Sequence, residues 1–344
     1  MDFLGFVIIC VKVLVVFSAT MLTVLMMVYA ERRVSAFMQG RLGPNRVGPQ
    51  GLLQPIADGI KFLMKEDIIP AEVNKPIYLL APAMLLIPAL MTFAVIPFGS
   101  TITLFGREVP LQVADLNVGI LYILALTSIG VYGLVLAGWA SNSKYSLIGG
   151  LRSSAQLISY ELAMGLSVVS VILLAGSLKL NVIVEDQQGY LLSWNVFKQP
   201  VAFLIFLVAV YAETNRLPFD LTEAEQELVG GYHTEYSSMK FAMFFTAEYA
   251  NMVTAAALTV TLFFGGWDVP LLDETSMGAL GAILSVLSFI LKTAFFLFLF
   301  IWVRWTFPRF RYDQLMKLGW KVMLPLALIN IFVTGGYLTL TSLR

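Results

Sequence analysis

Apolar residues in this chain gather into eight runs, near residues 3–30, 78–98, 116–138, 157–177, 200–213, 243–264, 281–303 and 322–341, parted by polar stretches. A run of about 20 apolar residues is what an α-helix needs to cross a hydrocarbon layer ~30 Å thick. No water in that layer can satisfy backbone N–H and C=O groups, so a crossing segment must close its own hydrogen bonds. The pattern predicts an all-α polytopic membrane protein with eight transmembrane helices. The first run, at 1.5 Å per residue, is ~42 Å long, so that helix tilts or projects from the bilayer. The fifth is the shortest. Hydrophobic residues make up 58% of the chain and charged residues 13%, against roughly 45–50% apolar in soluble domains, which excludes disorder and collagen.

The 22 basic and 22 acidic residues cancel, so no bulk attraction to nucleic acid is expected and charge must act locally. Cys10 is the single cysteine and His233 the single histidine, which excludes an intrachain disulfide, an iron–sulphur ligand set, a multi-cysteine zinc site and a haem held by two histidines. Asp2 stands where a secretory signal would be basic, so the first run reads as a retained anchor. With eight spans both termini share a side. Loops one, three, five and seven carry seven, two, two and five Lys and Arg, and the other side only Arg107, Lys179, Lys198 and Arg344. The odd loops are therefore expected in the cytoplasm, or in the matrix of a mitochondrion, with both termini opposite. No repeat or linker divides residues 1–344, which read as a single integral membrane domain with its function on the basic side.

The first inner loop runs from Glu31-Arg32-Arg33 through Arg41 and Gly43-Pro44-Asn45 to Gly48-Pro49 and Gly51. It lacks the Gly-Lys-Ser/Thr step and the βαβ context of nucleotide motifs. Its glycines either stiffen turns or let a ligand or partner approach the backbone closely. Over 52–65, Leu52, Ile56, Ile60, Leu63 and Met64 share one helical face, and Gln54, Asp58, Lys61 and Lys65 share the other. This amphipathic helix belongs at the interface, either resting among headgroups or walling a pocket for a lipid-like substrate.

The fifth loop gathers Glu213, Asp220, Glu223, Glu225, Glu227 and Glu235 on the basic side. Crowded, partly buried carboxylates titrate as a coupled group, which is what proton handling requires. Glu161 and Glu248 lie about one turn inside spans four and six, where a carboxylate needs a partner or a proton. Lys292, near the middle of span seven, predicts a buried polar contact, and Lys12 is a weaker case of the same kind. His233 serves either a local hydrogen bond or a partner or proton. The stretch Arg304-Trp305-Thr306-Phe307-Pro308-Arg309-Phe310-Arg311-Tyr312-Asp313 reads as an interfacial anchor or a docking surface for an acidic partner.

Four of these segments also carry a family resemblance. They are Glu31-Arg32-Arg33 through Gly43-Pro44-Asn45 to Gln54 and Ala57-Asp58; Ser159-Tyr160-Glu161; Ala212-Glu213-Thr214-Asn215-Arg216 with Pro218-Phe219-Asp220 and Glu223-x-Glu225-x-Glu227-Leu228; and Pro308-Arg309-Phe310-Arg311-Tyr312-Asp313-Gln314-Leu315-Met316. The run Ala247-Glu248-Tyr249-Ala250-Asn251 fits as well. Over nearly its whole length the chain resembles the H-type membrane subunit of proton-pumping NADH:quinone oxidoreductase, respiratory complex I. The resemblance implies eight helices, a ubiquinone chamber shared with redox-arm subunits of the 49-kDa and PSST types, and small membrane-arm neighbours.

The same resemblance implies a translocase subunit that holds no redox centre or metal. Quinone would be its substrate, with FMN and iron–sulphur clusters in partner subunits, and a bacterial inner membrane its place. Arg32, Arg41, Asp58 and Lys61 would line the quinone entrance and tunnel, and Arg216 the deeper chamber. Glu161, Glu213, Glu223, Glu225, Glu227 and Glu248 would form the acidic funnel that couples quinone reduction to proton transfer. The alternatives are a membrane anchor of a related hydrogenase complex and an ion-coupled transporter; missing repeats and unbroken spans argue against the transporter.

Overall fold

The computed structural model describes residues 3–104, 107–221, 225–270, 272 and 278–342. Helix α1 (Phe3–Met38) is followed by α2 (Gln54–Met64) and α3 (Lys75–Met91). A β-hairpin, β1 (Thr101–Leu104) and β2 (Arg107–Pro110), leads to α4 (Gly119–Ala140) and α5 (Lys144–Ala175). Short α6 (Leu180–Glu185) and α7 (Asn195–Lys198) precede α8 (Pro200–Glu213), and α9 (Glu225–Leu228) precedes α10 (Ser238–Phe263). Then come α11 (Ala279–Thr306), α12 (Tyr312–Lys317), a π-helical turn over Leu318–Met323, and α13 (Leu324–Ser342).

Each of the eight apolar runs lies largely or wholly within helix. Among the described residues six helices are long and apolar enough to cross a membrane: α1, α3, α4, α5, α11 and the continuous Tyr312–Ser342 unit. The other two segments are α8, only 14 residues long, and α10, which carries Lys240, Glu248 and Asn251 among its apolar residues. Two boundaries differ from the sequence reading. Helix α1 continues past residue 30 to Met38, so Glu31, Arg32 and Arg33 are helical rather than looped. Helix α5 begins at Lys144, so much of the third loop is helix projecting beyond the apolar run. The hairpin between α3 and α4 was not expected from sequence.

Prolines mark three helix starts, in the first turns of α2, α3 and α8, where the missing N–H costs nothing. Helix α5 ends on Gly176 at φ 64°, the left-handed cap that glycine adopts without a Cβ penalty. Helices α3, α4, α5 and α8 pack in succession, and α10 inserts against α3, α1 and α11. Lipid tails are as apolar as leucine, so close packing rather than escape from water holds such helices together, and small residues favour it. At Gly149 of α5 a Cβ would lie 2.7 Å from the Gly231 Cα. That contact seats the segment carrying Tyr232 and His233 directly on α5.

Candidate functional site

The site begins with a charge where apolar helices meet. Glu31, in the last turns of α1, is 6% exposed. Its carboxylate accepts hydrogen bonds from Arg216 Nη1 at 3.1 and 3.2 Å, from the Tyr249 hydroxyl at 2.6 Å, and from Arg304. Arg216, just beyond α8 and 5% exposed, turns its Nε to Glu248 Oε1 at 2.6 Å and lays its guanidinium 4.5 Å from the Tyr249 ring centre. Two arginines and two glutamates thus compensate one another, as low-dielectric burial demands.

A cleft of about 490 Å³ opens beside this cluster. Glu31, Arg32, Ser35, Arg41, Gly43 and Pro44 form one wall, with Arg216, Phe245, Glu248, Tyr249, Arg304 and Trp305 opposite. The Gly-Pro loop forms part of the cleft wall and holds a tight turn. Gly43 and Pro44 line the cleft, and Gly51, at φ 80°, packs so tightly that a Cβ would lie 2.3 Å from the Pro44 carbonyl oxygen. Cations beside a partly aromatic cleft can hold a carbonyl oxygen and stabilise negative charge that develops on it.

Helix α2 sits beside this region. Arg32 Nη1 donates to Asp58 Oδ2 at 2.5 Å, and Gln54 Nε2 to Asp58 Oδ1 at 3.1 Å. Beyond α2, the Ser238 hydroxyl reaches the Phe62 and Lys65 carbonyls at 2.9 and 3.0 Å, tying the segment to the start of α10. The apolar face of α2 is uncovered: Leu52, Ile56, Ile60, Leu63 and Met64 are all exposed. Lys61 is exposed and does not line the cleft.

A line of carboxylates leads inward. Glu248 belongs both to the cleft and to a cavity of about 30 Å³ that it shares with Glu213, Asn215, Asn251 and Thr127. Glu213 in turn lines a third cavity of about 20 Å³ with Thr127, Asn251 and Thr254. Glu161 on α5 bonds to the Ser128 hydroxyl of α4 and lies near enough to Glu213 for their charges to interact.

Two described carboxylates of the acidic fifth loop have cationic partners. Glu227 pairs with Arg152 of α5 at 2.6 Å and Asp220 with Arg309 at 2.9 Å, so cations from other segments come to these carboxylates. Glu225 opens α9, but its side chain, like the whole of Glu223, lies outside the described residues. The His233 ring meets Tyr232 and Phe241 edge-on at 5.1 and 5.2 Å, within an aromatic cluster.

Of the residues singled out from sequence, Arg32, Arg41, Arg216 and Glu248 meet at the cleft; Asp58 is bonded to Arg32; Glu213 and Glu161 lie inward of it. Glu31, Tyr249, Thr127 and Ser128 carry no site role in the sequence reading, and Arg304 carries only that of an interfacial anchor or docking residue. A signal for Glu31 existed: it is the one acidic residue opening a strongly basic stretch directly after an apolar run.

At the other end of α10, Lys292 Nζ donates to the carbonyls of Phe264, Gly266 and Asp268 at 2.9, 3.1 and 2.7 Å and lies 4.6 Å from the Trp194 ring centre. This is the buried polar contact expected of a mid-span lysine. Burial raises the Asp268 carboxyl above its ordinary range, opposed by the Trp194 hydrogen bond and the Lys292 charge. Lys12 similarly donates to the Gln112 carbonyl at 3.0 Å.

Comparison with known proteins is consistent throughout the chain. The family profile described as NADH dehydrogenase matches residues 11–335. The first of two H-type NADH-quinone oxidoreductase subunits of Geobacter sulfurreducens is 57% identical over 343 residues, covering 96% of this chain and 95% of that protein. The second H-type subunit of Geobacter metallireducens is 58% identical over 335 residues, covering 94% and 93%. The NADH-quinone oxidoreductase subunit 8 of Rhodothermus marinus is 58% identical over 327 residues, covering 92% and 93%.

Proposed function

The chain belongs to the NADH dehydrogenase family as an H-type membrane subunit of NADH-quinone oxidoreductase, and from that premise we propose that the cleft between α1, α10 and α11 is its share of a quinone chamber. The observation that carries the reading is the common membership of Glu248: one carboxylate faces both the cleft and the inward line to Glu213. Arg41, Arg216 and Arg304 supply positive charge where quinone oxygens gain negative character. Arg32 and Asp58 hold α2 beside the entrance, and its bare apolar face offers a lipid-soluble substrate an approach from the membrane boundary. Lys61 belongs to the polar stripe of that approach.

Reducing a quinone takes two electrons and two protons. The electrons come from flavin and iron–sulphur clusters in partner subunits, the 49-kDa-type and PSST-type proteins among them, with small membrane-arm subunits as further neighbours. This chain acts as one membrane domain and supplies binding, charge and a proton path. When a quinone oxygen draws on Arg216, Glu31 and Glu248 lose part of their compensation and their hold on protons changes. That change passes along Glu213 and Glu161, with Glu223, Glu225 and Glu227 completing the funnel towards the partners. The excess of Lys and Arg in the odd loops supports a cleft on the cytoplasmic side of a bacterial inner membrane, with both termini periplasmic.

The test is Glu248→Gln in the assembled complex, followed by NADH-driven quinone reduction and protons moved per quinone. The expected result is loss of pumping with assembly intact. Unchanged turnover and stoichiometry would remove the reading.

A further inference from the structure

Two neighbouring hydroxyls on α4 face two carboxylates on other helices. Ser128 Oγ bonds to Glu161 Oε1 of α5, and Thr127 faces Glu213, at the end of α8, across the two small cavities that both residues line. Both hydroxyls also reach the Leu124 carbonyl oxygen, at 2.8 Å from Ser128 and 3.0 Å from Thr127. A hydroxyl has one hydrogen and two acceptor lone pairs, so each can donate to only one of its two oxygens at a time.

The choice depends on the proton. An ionised carboxylate takes the hydroxyl hydrogen. A protonated carboxyl instead donates its own hydrogen to the hydroxyl oxygen, and the hydroxyl turns its hydrogen to Leu124. In both states the carboxyl and the hydroxyl stay paired, and an unpaired polar atom in this low-dielectric setting is what the arrangement avoids. The surroundings supply a route for the proton. Thr127 and Glu213 together line the cavities of about 30 and 20 Å³, each roomy enough for a water molecule, which needs roughly 10–15 Å³. The larger of the two reaches Glu248.

We propose that Thr127 and Ser128 are positioning residues of the proton path, whose hydrogen bonds reverse as the Glu213–Glu161 pair gains and loses a proton. The inference rests on the proton-coupling reading above. Only a proton moves: an O–H bond breaks at one carboxyl and forms at another, and no electrons change hands.

The experiment uses the assembled complex in vesicles, with NADH and a short-chain ubiquinone. It reads quinone reduction, protons moved per quinone, and the infrared bands of protonated carboxyls that change on reduction. Glu213→Gln is the reference and should abolish pumping. Thr127→Val with Ser128→Ala should slow coupled turnover about tenfold, the scale of a lost hydrogen bond to a charged group. Thr127→Ser with Ser128→Thr should restore it. Ser128→Ala alone, the smaller change, should shift a carboxyl band that returns in Ser128→Thr, which keeps the proposal testable if the double variant fails to assemble. Full pumping with unmoved bands in the hydroxyl-free variants, while Glu213→Gln is inactive, would overturn this proposal alone. So would failure of the hydroxyl-keeping pair to rescue. Normal pumping in Glu213→Gln would instead bring down the proton-coupling reading beneath it.

Discussion

Helix α10 is flanked by buried charge at both ends, held in opposite ways. Near its start, Glu31, Glu248, Arg216 and Arg304 are bonded to one another beside a cleft, so each group's partner is itself an ion that a substrate or proton can perturb. Past its end, Lys292 is bonded to three backbone carbonyls, and its charge also acts on the Asp268 carboxyl. The first arrangement can be rearranged by chemistry. The second fastens α11 to the turn after α10 through backbone oxygens. Buried charge therefore marks function only when its partners can also change.

The sharpest test of this contrast is Arg216→Ala. It leaves Glu31 and Glu248 buried with much of their compensation gone, at a cost of about 3–5 kcal/mol, and should abolish quinone reduction in whatever assembles. A stable, active variant, judged by native gel and turnover, would break the comparison from one side. Lys292→Met tests the other. It strips three carbonyls of a charged donor, for which a loss of about 3 kcal/mol in thermal stability is expected, yet turnover per assembled complex should hold. A selective loss of pumping would show that the second site is not merely a fastening.

Tyr249→Phe sharpens the first site without removing a charge. Loss of one hydroxyl donor to Glu31 should cost about 1.5–3 kcal/mol, seen as at least a tenfold fall in kcat/KM for quinone. Asp58→Asn should do least. Its pair with Arg32 is half open to solvent on the arginine side, so about 0.2–1 kcal/mol is at stake. The expected change is a raised quinone KM with little change in kcat, and it should shrink as salt is added.

A pH experiment probes the second site. Because burial raises the Asp268 carboxyl above its ordinary value of 3.8, the stability its neutral form contributes is full below that value. It is lost as pH climbs through the raised folded-state value. Asp268→Asn should flatten that decline in thermal unfolding curves, and an unchanged slope would count against it.

The contrast also explains what sequence could reveal. Glu161, Glu248 and Lys292 stand out as ions in apolar runs, and Glu213 as the ion that closes one, because a bilayer makes each such residue conspicuous. The helices were legible for the same reason. Partners were not: Glu31 meets Arg216 across 185 positions and Arg304 across 273, and neither distance leaves a local pattern. The end of α1 was misjudged because apolarity stops at residue 30 while the helix runs on to Met38, held there by Glu31 and Ser35 packing against protein rather than lipid. Thr127 and Ser128 were hidden by chemistry of another kind, since hydroxyls in a membrane helix usually bond to their own backbone, as these also do.

An ammonium offers three N–H donors and no lone pair, and three carbonyl oxygens converge on Lys292 Nζ. One side chain thereby answers three backbone oxygens that a bilayer would leave without donors, and it pins the middle of α11 to the turn that follows α10.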